Sequence, residues 1–322
     1  MNKLKDLFQS EIPRINLVLQ KELEILSPLV REVGEHVLLA GGKRLRPILT
    51  ILTSRCLGGT REDIYPLACS LEFLHSATLI HDDILDNADL RRGRDSTHLV
   101  FGIKRAILAG DALLALANMI VARYDIPAMN FCVAEAILKT ATGEVDEIDN
   151  LRNPEMDETT YLEIIRGKTA FLIQAACACG AMVSGASQDV QDQASSFGMN
   201  LGIAFQLVDD ALDYAVDTQQ LGKPHGSDIR EGKITLPLIL FLKTLSRKER
   251  QALLEKISSD SLSDEQMQDV VLSIQKAGLD QKVRQEADVY LKKSANSLLS
   301  LPASRERDLM QDMVELIKNR NF

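Results

Sequence analysis

The 322-residue chain contains no tryptophan, and aromatic residues make up only 4% of it. A core with so few rings has to be built from Leu, Ile, Ala, Val and Met. Such side chains suit close-packed helices, whereas strands are enriched in aromatic and β-branched residues. An excess of positive charge is also absent: 37 Lys and Arg stand against 46 Asp and Glu, for a net charge of −9. General nucleic-acid binding, which needs a basic footprint, is excluded as the main role. A local basic patch can still take a small anion. The five cysteines, Cys56, Cys69, Cys132, Cys177 and Cys179, form no C-x-x-C pair and lie in apolar stretches. They are expected to be buried and reduced, as in a cytoplasmic protein. The N-terminal MNKLKDLFQSEI has no apolar signal-peptide core. The longest apolar run, around residues 169–183, is interrupted by Gln174 and Gly180, so no transmembrane segment is expected.

What is present is helical periodicity. Hydrophobic residues at 45% and charged residues at 26% are the mix of a soluble globular chain. LKDLFQSEIPRINLVLQKEL carries apolar residues at 3/4 spacing, with Pro13 expected at a break or in a first turn. SPLVREVGEHVLLAGG reads as a helix stopped at Gly41-Gly42, and PILTILTSRCLGG as one opened by Pro47. REDIYPLACSLEFLHSATLIHDDILDNA is apolar nearly all round, as befits the middle of a bundle. Residues 109–140, 157–183, 190–217 and 235–245 repeat that character, and 246–322 is more amphipathic. The economical reading is all-α: a single domain over residues 1–322, a bundle of ten or more helices around a central apolar cavity. Two stretches stand apart. RRGRDSTH, residues 91–98, is basic, and residues 217–237 carry Gly222, Gly226 and Gly232 with two prolines. Both suit functional loops or lids.

Two apolar helices end in the same acidic pattern. LIHDDILDNADLRRG holds Asp82, Asp83 and Asp86, and FQLVDDALDY holds Asp209, Asp210 and Asp213, each reading D-D-x-x-D. On a helix these positions fall within about 100° of arc, so each triplet puts three carboxylates on one face. One triplet alone reads equally well as a solvated face. Two, both on apolar helices, point to Mg²⁺, which binds through a few carboxylates plus substrate phosphates. The cations complete the pattern: Lys43, Arg44 and Arg46 in GGKRLRP, Arg91 and Arg92 after the first triplet, Lys168 in RGKTA, and Lys223 and Lys233 in the glycine-rich loop. Guanidinium forks and lysine ammoniums are phosphate partners. The GKT at 167–169 is no nucleotide P-loop, because Leu162 stands where the first glycine belongs. EVDEID at 144–149 lacks the histidine of a di-iron carboxylate site.

GGKRLRP, LIHDDILDNADLRRG, GKTA, FQLVDDALDY and GKPHGSDIREGKITLP, in this order over roughly residues 30 to 240, resemble the motifs of the trans-prenyl diphosphate synthases of the polyprenyl synthetase family. Among these the chain looks most like the bacterial long-chain enzymes. The resemblance implies the isoprenoid synthase fold, a cytoplasmic homodimer, and head-to-tail condensation of isopentenyl diphosphate onto an allylic diphosphate such as the dimethylallyl, geranyl or farnesyl ester. It implies three Mg²⁺ ions per active site, two on the first motif and one on the second. By resemblance Asp82, Asp83, Asp86 and Asp209 carry the metal, with Asp210 and Asp213 supporting. Arg91, Lys168, Thr169, Gln206, Lys223 and Lys233 would meet the allylic diphosphate. Lys43, Arg46, His75 and Arg92, with Arg44 nearby, would hold isopentenyl diphosphate. His81 is expected to be packed beside the site.

Product length is expected to be set on the helix before Asp82. Ala77 and Thr78 are small, where a bulky aromatic in this family closes the pocket early. A long product of about C30–C45 follows, with a tail some 30–45 Å long at about 5 Å per unit. Ala77→Phe would shorten it to about C15–C20. Leu74, Met119 and Phe131 are candidates for the tunnel floor. The expected role is supply of quinone side chains, with peripheral membrane contact for product release. The alternatives are a farnesyl or geranylgeranyl diphosphate synthase, a terpene cyclase, or an inactive regulatory subunit. A cyclase usually lacks the second triplet, and such subunits tend to lose aspartates.

Overall fold

The structure, a computed structural model, describes residues 2–215 and 226–320. Helices α1 (Asn2–Leu23), α2 (Pro28–Leu38), α3 (Leu45–Cys56) and α4 (Ile64–Leu85) lead to a small antiparallel hairpin, β1 (Leu90–Arg91) and β2 (Arg94–Asp95). Next come α5 (Thr97–Phe101), α6 (Ile103–Ala122), α7 (Pro127–Asp149), α8 (Glu158–Ile165), a π-helical turn over Arg166–Ala170, α9 (Phe171–Val183) and α10 (Gln188–Leu212). The chain continues through α11 (Ser227–Glu231), α12 (Leu236–Thr244), α13 (Arg247–Ser258), α14 (Asp264–Lys276), α15 (Leu279–Leu299) and α16 (Arg305–Lys318). The architecture is all-α, and the basic RRGRDSTH stretch forms the hairpin and the start of α5.

Local differences from the sequence reading have physical causes. Pro13 lies inside α1. The buried row Leu4, Leu7, Glu11, Ile15, Leu19 and Leu23 continues past it and packs toward α4, so tertiary burial outweighs the lost backbone hydrogen bond. The run 109–140 divides where Asp125 takes a left-handed φ of 53° and Pro127 opens α7.

The chain forms two compact units. The first comprises Met1–Ile137, Leu172–Gly198 and Ser297–Asp312; the second comprises Leu138–Phe171, Met199–Asn296 and Met313–Phe322. In the first, α4 is the central element, flanked by α1, α3 and α6. Leu67, Leu71, Phe73, Leu74, Ala77 and Ile80 are buried along it, each larger side chain contributing about 1.5–3 kcal/mol. Helix α6 is long and apolar enough to cross a membrane by length and composition, and here it lays Ala106, Leu113, Leu116 and Ile120 into this core. In the second unit Leu201, Ala204, Leu207 and Ala211 are buried along α10, and α12 packs with α8 and α14.

Candidate active site

The first unit holds a basic pocket built by a glycine turn. After α2, Gly41 and Gly42 take φ of +94° and +134°, a conformation side chains resist. A Cβ on Gly42 would lie 2.8 Å from Arg92 Nη1, and that guanidinium donates to the Gly41 carbonyl. The bare turn thus lets Arg92 fold over it. Arg46 is half-buried in the first turn of α3, and its Nε is buried without a hydrogen-bond partner. Burial pushes its guanidinium down to about 10, so it stays charged at neutral pH. His75, on α4, is pushed well below the usual imidazole range by burial and then by the charges of Arg46, Arg92, Arg91 and Arg44. A neutral imidazole among cations, with an orphaned guanidinium N–H, is arranged for an anion with several acceptor oxygens. Lys43 is exposed beside it.

Arg44 does not join this group. It starts α3 with a left-handed φ of 50°, which turns its side chain inward to 3% exposure. There its Nη1 donates to Glu72 Oε1 at 2.8 Å, Nε to Asn16 Oδ1 at 3.1 Å, and Nη2 to the Leu38 carbonyl. In this ligand-free structure the guanidinium is taken up by these partners, next to the turn that carries Lys43 and Arg46.

The first aspartate triplet is split by burial. Asp82 is half-buried and Asp86, one turn on, is exposed. Asp83, only 1% exposed, accepts from Arg91 Nε at 2.7 Å and is paired to a second nitrogen of the same guanidinium. Lying about 100° round the helix from Asp82, Asp83, expected to carry metal, is paired here with the hairpin arginine. His81 approaches the Ile107 carbonyl at 3.2 Å and Asp111 at 3.8 Å, a packed position as expected.

The second unit encloses a cavity of about 120 Å³ whose polar lining includes Glu147, Lys168, Gln206, Asp210, Asp228 and Lys233. Two glycines bring its walls together. A Cβ on Gly143 would lie 2.6 Å from Lys168 N, and one on Gly167 would lie 2.8 Å from Gly143 Cα. Backbone contact between α7 and the π-helical turn therefore sets Glu144 and Glu147 against Lys168. Lys168 Nζ lies 2.9 Å from Glu144 and 3.1 Å from Glu147; Lys233 Nζ lies 2.7 Å from Glu231 and 3.5 Å from Glu147. One glutamate thus bridges both lysines.

The second triplet is likewise divided. Asp210 accepts from Tyr161 Oη at 2.5 Å and Gln206 Nε2 at 2.8 Å, while Thr169 Oγ1 donates to Gln206 Oε1 at 2.8 Å. Thr169 and Gln206, expected on the diphosphate, form a chain of hydrogen bonds to this carboxylate. Burial pushes Asp210 up to about 7 against the lowering by Tyr161 and Gln206. Asp213 accepts from Ser227 N at 3.2 Å, Ser227 Oγ at 2.6 Å and Asp228 N at 3.0 Å. Asp209 pairs with Arg320. Lys223 lies outside the described residues. The sequence reading missed Glu144, Glu147, Tyr161, Asp228 and Arg320. Asp228 was legible as the acid inside the quoted glycine-rich loop; Glu144 and Glu147 were not, because the lysines they meet are brought to them only by the fold.

Among the described residues, no three His, Cys, Asp or Glu are grouped so as to hold one metal ion. A magnesium ion that keeps most of its waters and shares phosphate oxygens needs no such cage. The donors present fit it. Asp228 is half-buried, its Oδ2 is buried without a hydrogen-bond partner, and burial followed by the charges of Asp210 and Asp213 pushes its carboxyl well up. A hard cation would relieve that oxygen. Asp82 and Asp86 offer two more carboxylates on one helix face.

These features, an all-α scaffold with an arginine–histidine cluster and a carboxylate–lysine cavity, suit a protein that handles an anion with several acceptor oxygens. The polyprenyl synthetase family profile matches residues 27–274. Among relatives, heptaprenyl diphosphate synthase component 2 of Bacillus subtilis (strain 168) is 33% identical over 309 residues, covering 95% of this chain and 88% of that one. The geranylgeranyl diphosphate synthase of Sulfolobus acidocaldarius is 34% identical over 305 residues, covering 92% of each. The crystal structure of a decaprenyl diphosphate synthase from Rhodobacter capsulatus superposes with a TM-score of 0.93 at 31% identity, covering 100% of this chain and 99% of that chain. The chain belongs to the polyprenyl synthetase family and is a prenyltransferase.

Proposed function

We propose that this enzyme condenses isopentenyl diphosphate head-to-tail onto an allylic diphosphate and extends it to an all-trans product of about C30–C45, a tail of about 30–45 Å at one helical turn per unit. The similar proteins include both long- and short-chain synthases, so length rests on this chain's own residues. The carrying observation is Thr78, a small half-buried side chain one turn before Asp82 on the central helix, beside the equally small Ala77 of the core. They leave the growing chain a way past the first layer of the core.

Arg46, His75, Arg92 and Lys43 hold isopentenyl diphosphate, with neutral His75 hydrogen-bonding and the cations supplying charge. Asp82, Asp86 and Asp209 receive Mg²⁺, three ions in all; Asp83, Asp210, Asp213 and Asp228 shape their surroundings. Lys168, Lys223, Lys233 and Arg91 turn toward the allylic diphosphate. Bound magnesium neutralises charge on the departing diphosphate. The apolar wall of α4 keeps water from the allylic cation. No side chain has to act as a strong base, because the leaving diphosphate takes the proton.

The interleaved segments of the two units suit one domain over residues 1–322. A homodimer is supported by exposed Ile107, Leu108 and Met119 on α6 and Phe131 on α7. The outward Met119 and Phe131, 52% and 70% exposed, no longer suit a tunnel floor; Leu74 stays buried. The enzyme works in the cytoplasm, touching a membrane to release product for quinone side chains. Incubation with Mg²⁺, farnesyl diphosphate and labelled isopentenyl diphosphate tests the reading. One long species at the end of a ladder supports it. Products stopping at C20 sink the long-chain assignment, and consumption of farnesyl diphosphate alone indicates a cyclase.

A further inference from the structure

The last helix brings the second aspartate motif a cation that the proposed reaction leaves without a role. Arg320, just past α16, donates from Nη1 to Asp209 Oδ1. Its guanidinium carbon lies 5.0 Å from the centre of the Phe205 ring, one turn before Asp209 on α10. Its own carbonyl accepts from Arg284 Nη1 of α15 at 3.0 Å. Head group, flat face and main chain are thus each tied down within the second unit. The two paired side chains are 22% and 32% exposed, so the pair is formed yet open to exchange with ions from solution.

The neighbourhood explains why a cation belongs there. Asp209 is adjacent to Asp210, whose carboxyl feels the charges of Asp209 and Glu147. The Asp228 carboxyl likewise feels the charges of Asp210 and Asp213. Carboxylates this close repel one another unless a counter-cation is present. Arginine keeps its charge at any working pH and stacks on an aromatic ring while pairing with a carboxylate.

We propose that Arg320 is a positioning residue of the prenyl transfer: an internal counter-cation that holds the Asp209 carboxylate in the metal-free enzyme and is exchanged for the divalent ion. The inference rests on the reading that Asp209 receives metal. Its consequence is that free metal must displace a resident charge at the second motif, so Arg320 weakens the binding of metal arriving alone.

The test is Mn²⁺ titration of the full chain, reading free ion by electron paramagnetic resonance, without substrate. R320M removes the charge and keeps an apolar stem against Phe205; R320Q is a second neutral variant should the first fold poorly. Each is checked by thermal melting. The neutral variants should bind Mn²⁺ about two- to fivefold more tightly at the site that D209N abolishes, the range expected for loss of one partly exposed ion pair. R320K, which keeps the charge, should stay nearer the wild type. Unchanged or weaker Mn²⁺ affinity in the folded neutral variants, with D209N still losing the ion, overturns this inference and leaves the metal reading standing. Full Mn²⁺ binding by D209N overturns the metal reading itself.

Discussion

Thr78→Phe tests how the central helix sets product length. Thr78 lies four residues before Asp82 on α4, hence about 6 Å along the axis and about 40° around it. His75, seven residues before, falls within about 20° of the same line, whereas Ala77 lies about 140° away. The structure agrees with this phase: Thr78 and His75 are half-buried, while Ala77 is fully buried in the core. A chain growing from the carboxylates at about 5 Å per isoprene unit would meet a phenyl ring at Thr78 after about one further unit. The product is then expected to be no longer than about C15–C20. The substitution removes only a hydroxyl that donates to the His75 carbonyl at 2.8 Å, a local bond of small net worth. Ala77→Phe is expected to shorten the product too, but with an overpacking cost of about 1–3 kcal/mol. Product sizing with farnesyl and labelled isopentenyl diphosphates, beside urea melts, separates the effects. A folded Thr78→Phe enzyme that still makes the wild-type length refutes the idea that the tail runs along this stripe.

Three further outcomes follow from the site geometry. Glu72→Gln or Arg44→Met leaves one member of a buried ion pair alone and should cost about 3–5 kcal/mol in urea unfolding; a change confined to the Michaelis constant for isopentenyl diphosphate would instead return Arg44 to the substrate. His75 has a folded pKa well below its ordinary value. Its contribution to stability is therefore intact above about pH 6.5 and lost as pH falls from there toward the folded value. Imidazole NMR shifts for His75 should be flat from pH 8 to about 6, and His75→Asn should remove that part of the acid sensitivity. Gly143→Ala places a methyl 2.6 Å from Lys168 N and should destabilise by about 1–3 kcal/mol while lowering turnover; wild-type melting and rate would contradict the close approach of α7 to the π-helical turn.

Much of the site was legible because its chemistry is local in sequence. Two D-D-x-x-D rows need only helical phase to become carboxylate faces, and GGKRLRP announces a turn followed by cations. The division of labour inside each motif was not legible. Asp82 and Asp83 are identical in sequence terms, and only the side of α4 that meets the hairpin decides that Asp83 pairs with Arg91. Arg44 and Arg46 are two residues apart, yet the left-handed backbone at Arg44 turns one inward to Glu72 and leaves the other with an open N–H. Met119 and Phe131 show the same limit for packing. Where both faces of a helix are apolar, periodicity alone does not say which meets the core. Glu147 could not be assigned from spacing because its partners, Lys168 and Lys233, are 21 and 86 residues away and meet it only through the fold.

The charges around the second cavity lead to one more expectation. Glu147, Asp210 and Asp228 line it against Lys168 and Lys233, and Glu144 and Glu231 hold the same lysines. Even leaving aside Asp228, whose carboxyl burial pushes well up, and Asp210, pushed up to about 7, among the described residues the glutamates alone outnumber the ammoniums. A bare diphosphate arriving here meets lysines already neutralised and carboxylates that repel it. For phosphate oxygens to replace glutamates on Lys168 and Lys233, added positive charge has to come with them, which a divalent ion on the aspartates supplies. Calorimetry with inorganic pyrophosphate should accordingly show binding at least about tenfold weaker without Mg²⁺ than with it, a difference of about 1.4 kcal/mol. Glu147→Gln, which removes the charge bridging both lysines, should narrow that gap by strengthening the metal-free binding. Equal pyrophosphate affinity with and without Mg²⁺ would mean that the lysines are available as anchors in the resting enzyme, and that the glutamates do not set the metal requirement.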